Sequence, residues 1–365
     1  MQFSPKSPLL NPLLVRPGWR TSTRRDERLL WLDKNENLDP ELQELTARIF
    51  RELGPASLAT YPEFGALYQK LAHWVGVTPD FLMLTPGSDG VIRLTFEACV
   101  AEGDIVVHTA PTFAMYAVYS QMFGATVQAL EYRRTARGPS LEAQAVLSHL
   151  QAVRPRLFCL PNPDSPTGTV FSPDELRSMV ELCEAIGTVI LIDEAYHPFY
   201  QPSCVGWTDT FNNLIVARTF AKAWGLAGLR IGYAVGHPDT IRYLHKLRPM
   251  YEVGTVAAQM IERMLDFPDA MQASVQRLNE GKKFFLREMR TLGHEVLGGE
   301  GNFLHVSFGT HAEQVHRALK DHVRYRLDFK EPCLQGFSRF SATTVRQFAS
   351  VVELIKTAAS RGVKN

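Results

Sequence analysis

Four short apolar runs in the middle of the chain limit what it can fold into: LFCL at 157–160, VILID at 189–193, LIVART at 214–219 and RIGYAV at 230–235. Each is bounded by Gly, Pro or polar residues and is apolar almost throughout, the pattern of a strand buried on both faces. Between the first two lies SPDELRSMVELCEAIG. There Ser172 is placed to cap a helix, Pro173 fits its first turn, Glu175 completes a capping box and Gly187 ends it. This strand–helix–strand unit, with the alternation around it, predicts a mainly parallel sheet layered by helices, an αβα large domain.

After about residue 265 the pattern changes to a long charged helix reaching roughly Leu292, then strand-like FLHVSF and GFSRFS, then a closing helix from about Thr343. A chain of 365 residues exceeds what one hydrophobic core usually organises. The expected division is a large domain over 46–260 and a smaller α+β domain made of 1–45 with 261–365.

Charge excludes some functions. The 39 basic and 38 acidic residues leave a net charge of +1, so no overall field gathers nucleic acid or an anionic membrane. The expected partners are small molecules. The five cysteines, Cys99, Cys159, Cys183, Cys204 and Cys333, are odd in number, scattered and without zinc-type spacing, so they read as reduced fillers of apolar space and no metal is expected. Prolines break MQFSPKSPLLNPLLVRPGWR before any apolar run long enough for a signal core or membrane span, and the cytoplasm is the expected location.

The sharpest chemical segment is TFAKAWGLAGLRIGY. Lys222 stands three residues after Thr219, at the end of an apolar strand, and ligands of open α/β sheets bind outside the carboxyl ends of the strands. Taken alone it would be a solvated loop lysine; its flanks change that reading.

Those flanks and several other segments resemble the fold-type I pyridoxal-phosphate (PLP) enzymes, most closely the histidinol-phosphate aminotransferase branch of the class I and II aminotransferases. In order along nearly the whole chain come LDKNEN (32–37), YPEF (61–64), PGSD (86–89), PTFAMY (111–116), NPDSPTG, DEAY, the lysine segment and RFSATT. One such motif would be weak, whereas the ordered set is specific. The resemblance implies the PLP-dependent transferase fold and pyridoxal 5'-phosphate as cofactor. It also implies a homodimer, with an amino donor and a 2-oxo acid such as 2-oxoglutarate as substrates.

It implies roles as well. Lys222 would hold the cofactor covalently and shuttle the proton, its amine activated by burial beside a cation. Asp193 would pair with the pyridine nitrogen and Tyr196 with the phenolic oxygen. Ser88 and Asp89, at a tight turn opening a helix, with Arg230 and Thr219, would receive the phosphate. Phe113 would lie over the ring. Tyr61 would reach the phosphate of the partner subunit's site. Arg339 would grip the substrate carboxylate, with Arg326 as a candidate helper, and Asn35 belongs to the substrate set. Arg16, Arg20, Arg24, Arg25 and Arg28 are either a solvated face or an aid to a substrate phosphate.

The chain departs from the family pattern at three places. Ser165 replaces the asparagine before Pro-Thr-Gly, and a shorter donor there disfavours a phenolate. Ala221 replaces the serine before the lysine, a loss that Thr219 is placed to offset, and Leu38 stands where a proline usually follows Asn-Glu-Asn. Two alternatives stay open at this level: a decarboxylase of the threonine-phosphate type, and a non-catalytic PLP-binding sensor, against which stand the neutral charge and the absence of a preceding helix-turn-helix pattern. The donor is also open among histidinol phosphate, aromatic amino acids and other amines.

Overall fold

The computed structural model describes residues 5–12, 14 and 24–361. Its centre is a seven-stranded sheet, ordered from edge to edge Leu82–Thr85, Gly232–Gly236, Leu214–Thr219, Val189–Asp193, Leu157–Pro161, Ile105–Ala110 and Thr126–Glu131. From Leu214–Thr219 outward to Thr126–Glu131 every pairing is parallel, and Gly232–Gly236 alone runs antiparallel to both its neighbours.

The apolar runs owe their continuous hydrophobicity to burial on both faces. Leu82, Phe158, Ile190 and Leu214 point to one face, where they meet Leu67, Val146, Leu176 and Met179 of covering helices. Met83, Leu157, Leu191 and Ile215, one residue out of phase, pack on the other face against Ile92, Phe96, Tyr116 and Ile241. Each such side chain contributes roughly 1.5–3 kcal/mol by leaving water. The helix predicted after residue 172 is Pro173–Ile186, with both bonds of the capping box and Gly187 closing it at φ 75°.

The fourth run differs from its reading. Its strand begins at Gly232 rather than at residue 230, because Arg230 adopts a left-handed backbone at φ 51° and Ile231 completes the turn. It runs against the others because the link 220–231 contains one 3-10 turn, Ala227–Leu229, and no crossover helix to carry the chain back across the sheet.

The C-terminal region pairs Glu295–Leu297, Phe303–Ser307 and Ser338–Ser341 antiparallel, while Leu30–Leu32 pairs parallel with Val323–Tyr325. The closing helix is Val345–Arg361. The long helix Pro268–Thr291 spans two packing regions: Met271, Val275 and Leu278 join the core beneath the sheet, and Phe285, Leu286 and Met289 join a second core with Leu304, Phe340 and Phe348. Between these regions opens a cleft.

Candidate active site

The five strands that run in one direction from Leu82–Thr85 to Ile105–Ala110 release their chains on the same side of the sheet, and each is followed within a few residues by a group lining the cleft. Thr85 leads to the turn at Gly87 and to Ser88 and Asp89, Ala110 to Phe113, Pro161 to Ser165, Asp193 is itself a strand terminus, and Thr219 leads to Lys222. The cleft has a volume of about 550 Å³. Asn35, Tyr196, Arg230, Arg326 and Arg339 complete its walls. Of the residues given cofactor, catalytic or substrate roles in the sequence, all but Tyr61, which was assigned to the partner subunit's site, thus converge, although they come from positions 35 to 339.

At the floor, Asp193 is buried. Tyr116 Oη donates to its Oδ2 at 2.9 Å and the backbone N–H of Ala195 to its Oδ1 at 2.9 Å. Burial still pushes its carboxyl up to about 6, against the lowering by these two donors. Lys222 Nζ donates to the carbonyl of Lys34 at 2.9 Å. Burial, reinforced by the charge of Arg339, lowers its amine to about 8. Both shifts disfavour the charged form of an isolated group, so the cleft is prepared for a polar occupant that would carry compensating charge.

The turn at 85–90 makes an anion cup. Gly87 has φ 74° and begins the helix Ser88–Cys99, and a Cβ there would sit 2.7 Å from Arg230 Nη2. Only glycine lets the guanidinium lie against this turn. Helix N–H groups, helix dipole and guanidinium therefore point at one place, suited to a phosphate. Oδ1 of Asp89 is buried there without a hydrogen-bond partner, while Tyr119 Oη donates to Oδ2 at 3.1 Å. Thr219 Oγ1 is turned toward its own loop and accepts from the N–H of Ala221 at 3.1 Å.

The far wall comes from the other region. Asn35, at φ 55°, donates from Nδ2 to Tyr196 Oη at 2.8 Å and receives Ser341 Oγ on its Oδ1 at 3.5 Å, so its amide orients Tyr196. Arg339 is buried and donates to Ser165 Oγ at 3.2 Å and to the carbonyl of Asp33 at 2.9 Å, leaving its Nε without a partner. Ser165, accepting from Arg339, stands within hydrogen-bonding reach of Tyr196 as well. Phe113 stands at the rim with its ring edge-on to Tyr116, centroids 6.0 Å apart.

Tyr61 does not line this cleft. It is 73% exposed and stacks on Tyr251 with centroids 4.2 Å apart. Of the N-terminal arginines, Arg16 and Arg20 lie outside the described residues. Arg25 pairs with Glu36 at 2.8 Å, Arg28 with Asp26 at 2.7 Å and Arg24 with Glu27 at 3.6 Å, and none of the three lines the cleft. No group of three or more metal-ligating side chains occurs among the described residues, and no helix among them is long and apolar enough to cross a membrane.

Three groups escaped the sequence reading. Tyr116 ends the PTFAMY motif, but nothing local announces that its hydroxyl meets a carboxylate 77 positions away. Asp164 of NPDSPTG is fully buried, takes hydrogen bonds from Thr109, Thr112 and Tyr132 at 2.5, 2.7 and 2.9 Å, and is pushed by burial up to about 7. Glu194 of DEAY forms a buried pair with Arg218 at 2.9 Å and accepts from Cys204 N–H at 2.6 Å, anchoring the segment after Asp193. In each case the motif was visible and the partner was not.

An αβα sheet that delivers a lysine, a carboxylate and an anion cup from successive strand ends defines a protein class: an enzyme that holds a phosphorylated ring against a nucleophilic amine. Within that class the chain belongs to the class I and II aminotransferases, whose family model matches residues 27–355. It is 30% identical over 317 residues to the histidinol-phosphate aminotransferase of Thermoanaerobacter sp. (strain X514), covering 86% of this chain and 88% of that one. It is 31% identical to the histidinol-phosphate aminotransferase of Roseiflexus castenholzii (strain DSM 13941 / HLO8), covering 91% and 90%. Among solved structures, histidinol-phosphate aminotransferase from Sinorhizobium meliloti in complex with pyridoxal-5'-phosphate shares the fold with a TM-score of 0.79 at 21% identity, over 91% of each chain.

Proposed function

We propose that this aminotransferase uses pyridoxal 5'-phosphate to move an amino group from a phosphorylated amine of the histidinol-phosphate type to a 2-oxo acid such as 2-oxoglutarate. The observation that carries the reading is the convergence of Lys222, Asp193 and the Ser88–Asp89 turn on one cleft. The residues fit the cofactor: an anion cup where Arg230 lies against the bare backbone of Gly87, a buried carboxylate whose proton affinity burial raises, and an amine lowered toward neutrality. When bound, the cofactor supplies an electron sink for the charge left at the substrate carbon.

The chain's own groups divide the remaining work. Lys222 Nζ, with its amine at about 8, is free base in useful amount near neutral pH and takes and returns the proton at the substrate carbon. Asp193, held by Tyr116 and Ala195, presents an oxygen to a protonated ring nitrogen, which would draw its carboxyl back to the ionised form. Ser88, Asp89 and Arg230 anchor the phosphate end, with Thr219 beside them. Phe113 covers the ring, and Tyr196, oriented by Asn35, donates toward the phenolic oxygen together with Ser165. Arg339 offers its guanidinium to the carboxylate of the acceptor. Tyr61, exposed and stacked on Tyr251, suits a role across a homodimer in the neighbouring site.

Replacing Lys222 by Ala tests the reading. The expected result is loss of the yellow, borohydride-fixable cofactor and a fall in turnover of about 10⁴-fold. A variant that still fixes the cofactor on reduction would remove the central assignment. A donor panel read by conversion of the cofactor from its aldehyde to its amine form identifies the substrate, and release of carbon dioxide in place of that conversion would favour the decarboxylase.

A further inference from the structure

The cleft mouth carries an ion pair that the transamination does not use. Arg326 and Arg339 are paired across an antiparallel bridge: Arg326 N–H donates to the Arg339 carbonyl at 3.0 Å and Arg339 N–H to the Arg326 carbonyl at 2.8 Å. Directly opposed residues in such a bridge send their side chains to the same face, and here both line the cleft. Arg339 is buried behind Ser165, whereas Arg326 stands further out, its guanidinium 4.5 Å from the ring centroid of Phe329.

Glu331 lies beside it. Its Oε1 is 3.7 Å from Arg326 Nη2, and its Oε2 accepts from the N–H of Lys330 at 3.0 Å, so the carboxylate is held by its own turn. The turn is itself rigid. Phe329 N–H bonds to the Phe337 carbonyl at 2.8 Å, and Phe329, Cys333, Leu334 and Phe337 form a small buried core with Tyr132. The backbone that carries Glu331 is thus placed at the mouth by the packing of its neighbours, while the contact of its carboxylate with Arg326 is long, single and open to water.

We propose that Glu331 is a specificity-determining residue that competes with the distal anion of a substrate for Arg326. A ligand whose reacting end sits at Lys222 and whose far end carries a carboxylate or phosphate must take Arg326 from Glu331 and then lie near that carboxylate. A ligand with an uncharged far end meets a pair that is already neutralised. Glu331 therefore moderates the hold of Arg326 on anionic-ended ligands, the phosphorylated donor and 2-oxoglutarate among them, relative to ligands with uncharged ends. This deepens the aminotransferase reading and rests on it for the placement of the reacting end.

The test compares Glu331→Gln with the parent holoenzyme. Calorimetric binding is measured, without amino donor, for 2-oxoglutarate and for 4-methyl-2-oxopentanoate, which is similar in size but has an uncharged end. The expected result is an about three- to fivefold tighter Kd for 2-oxoglutarate, the upper scale of a partly exposed ion pair, with the uncharged acid changed by less than about twofold. In an Arg326→Gln background the same Glu331→Gln change is expected to yield less than about a twofold gain. Equal tightening of both acids would mean a reshaped mouth and overturn the proposal, as would no change in either. Turnover with amino donors is read separately: an enzyme that binds both acids with the expected ratio yet transaminates nothing would overturn the function and leave Glu331 standing.

Discussion

The two ends of the cleft are built on different principles. The end holding Lys222, Asp193 and the anion cup comes from adjacent strand termini of one sheet, and Lys222 and Asp193 are buried enough to be displaced from their ordinary values. The end holding Arg339, Arg326 and Glu331 comes from a separate antiparallel sheet and its turn, and beyond Arg339 it is half exposed, with a single loose ion pair. The first end has its proton affinities set by desolvation and a few fixed hydrogen bonds, which suits chemistry. Outside the buried Arg339, the second recognises charge through contacts that water can share, which suits exchange of two different substrates through one site. Substitutions at the first end should therefore change rate, and those at the second should change affinity.

Asp193→Asn offers the largest remaining break of that contrast. It keeps the shape but removes the charge facing the ring nitrogen, and kcat is expected to fall about 10³-fold with KM little changed, measured by steady-state kinetics. A variant that mainly raised KM would dissolve the distinction between the two ends. Arg339→Lys is expected to act in the opposite sense. Losing the fork that reaches Ser165 and the carbonyl of Asp33 should raise KM for the 2-oxo acid by ~30-fold, with kcat held within a few-fold.

Smaller effects sharpen the comparison at the chemical end. Tyr116→Phe removes a donor to the ionised form of Asp193, so the carboxyl should rise above its present value of about 6 by one to two units, roughly the worth of a hydrogen bond to a charge. The acid limb of cofactor binding by the cofactor-free protein should move up in pH accordingly, with binding at pH 9 nearly intact. An unmoved limb would show that Asp193 is set by burial alone.

The smallest expected effect concerns stability. The amine of Lys222 sits at about 8 in the fold, below its ordinary 10.5, so the folded protein binds this proton less tightly than the unfolded chain does. The fold bears that cost in full below pH 8, and it disappears as pH rises toward 10.5. Cofactor-free Lys222→Met should melt about 2–4 °C above the cofactor-free parent at pH 7, with the gap closing by pH 10, as followed by circular dichroism. A gap that stayed constant with pH would trace to packing rather than to the buried charge.

The chemical end was also the more legible in the sequence. Lys222 and Asp193 stand at or just past the ends of apolar runs and Ser88 at a tight turn opening a helix, and of the residues named along the motifs from LDKNEN to RFSATT all but Tyr61, assigned to the partner subunit's site, line the cleft. Ser165, Asn35, Arg339 and Tyr196 were all found, but not that Arg339 bonds to Ser165 and Asn35 to Tyr196, since each bond joins residues 174 or 161 positions apart. Glu331 carries no local signal at all. It becomes visible only when the 329–337 turn folds over its small core and brings the carboxylate beside Arg326.

The order of residues settled which segments become buried strands, where the helix Pro173–Ile186 begins and ends, and which side chains are delivered beyond the strand ends, because solvent transfer and capping act over a few neighbouring positions. The direction of Gly232–Gly236, the shifted proton affinities of Asp193 and Lys222, and the pairing of Glu331 with Arg326 belong to the assembled molecule. Desolvation and charge pairing depend on what packs around a group in space, and residues hundreds of positions apart supply those neighbours only once the chain has folded.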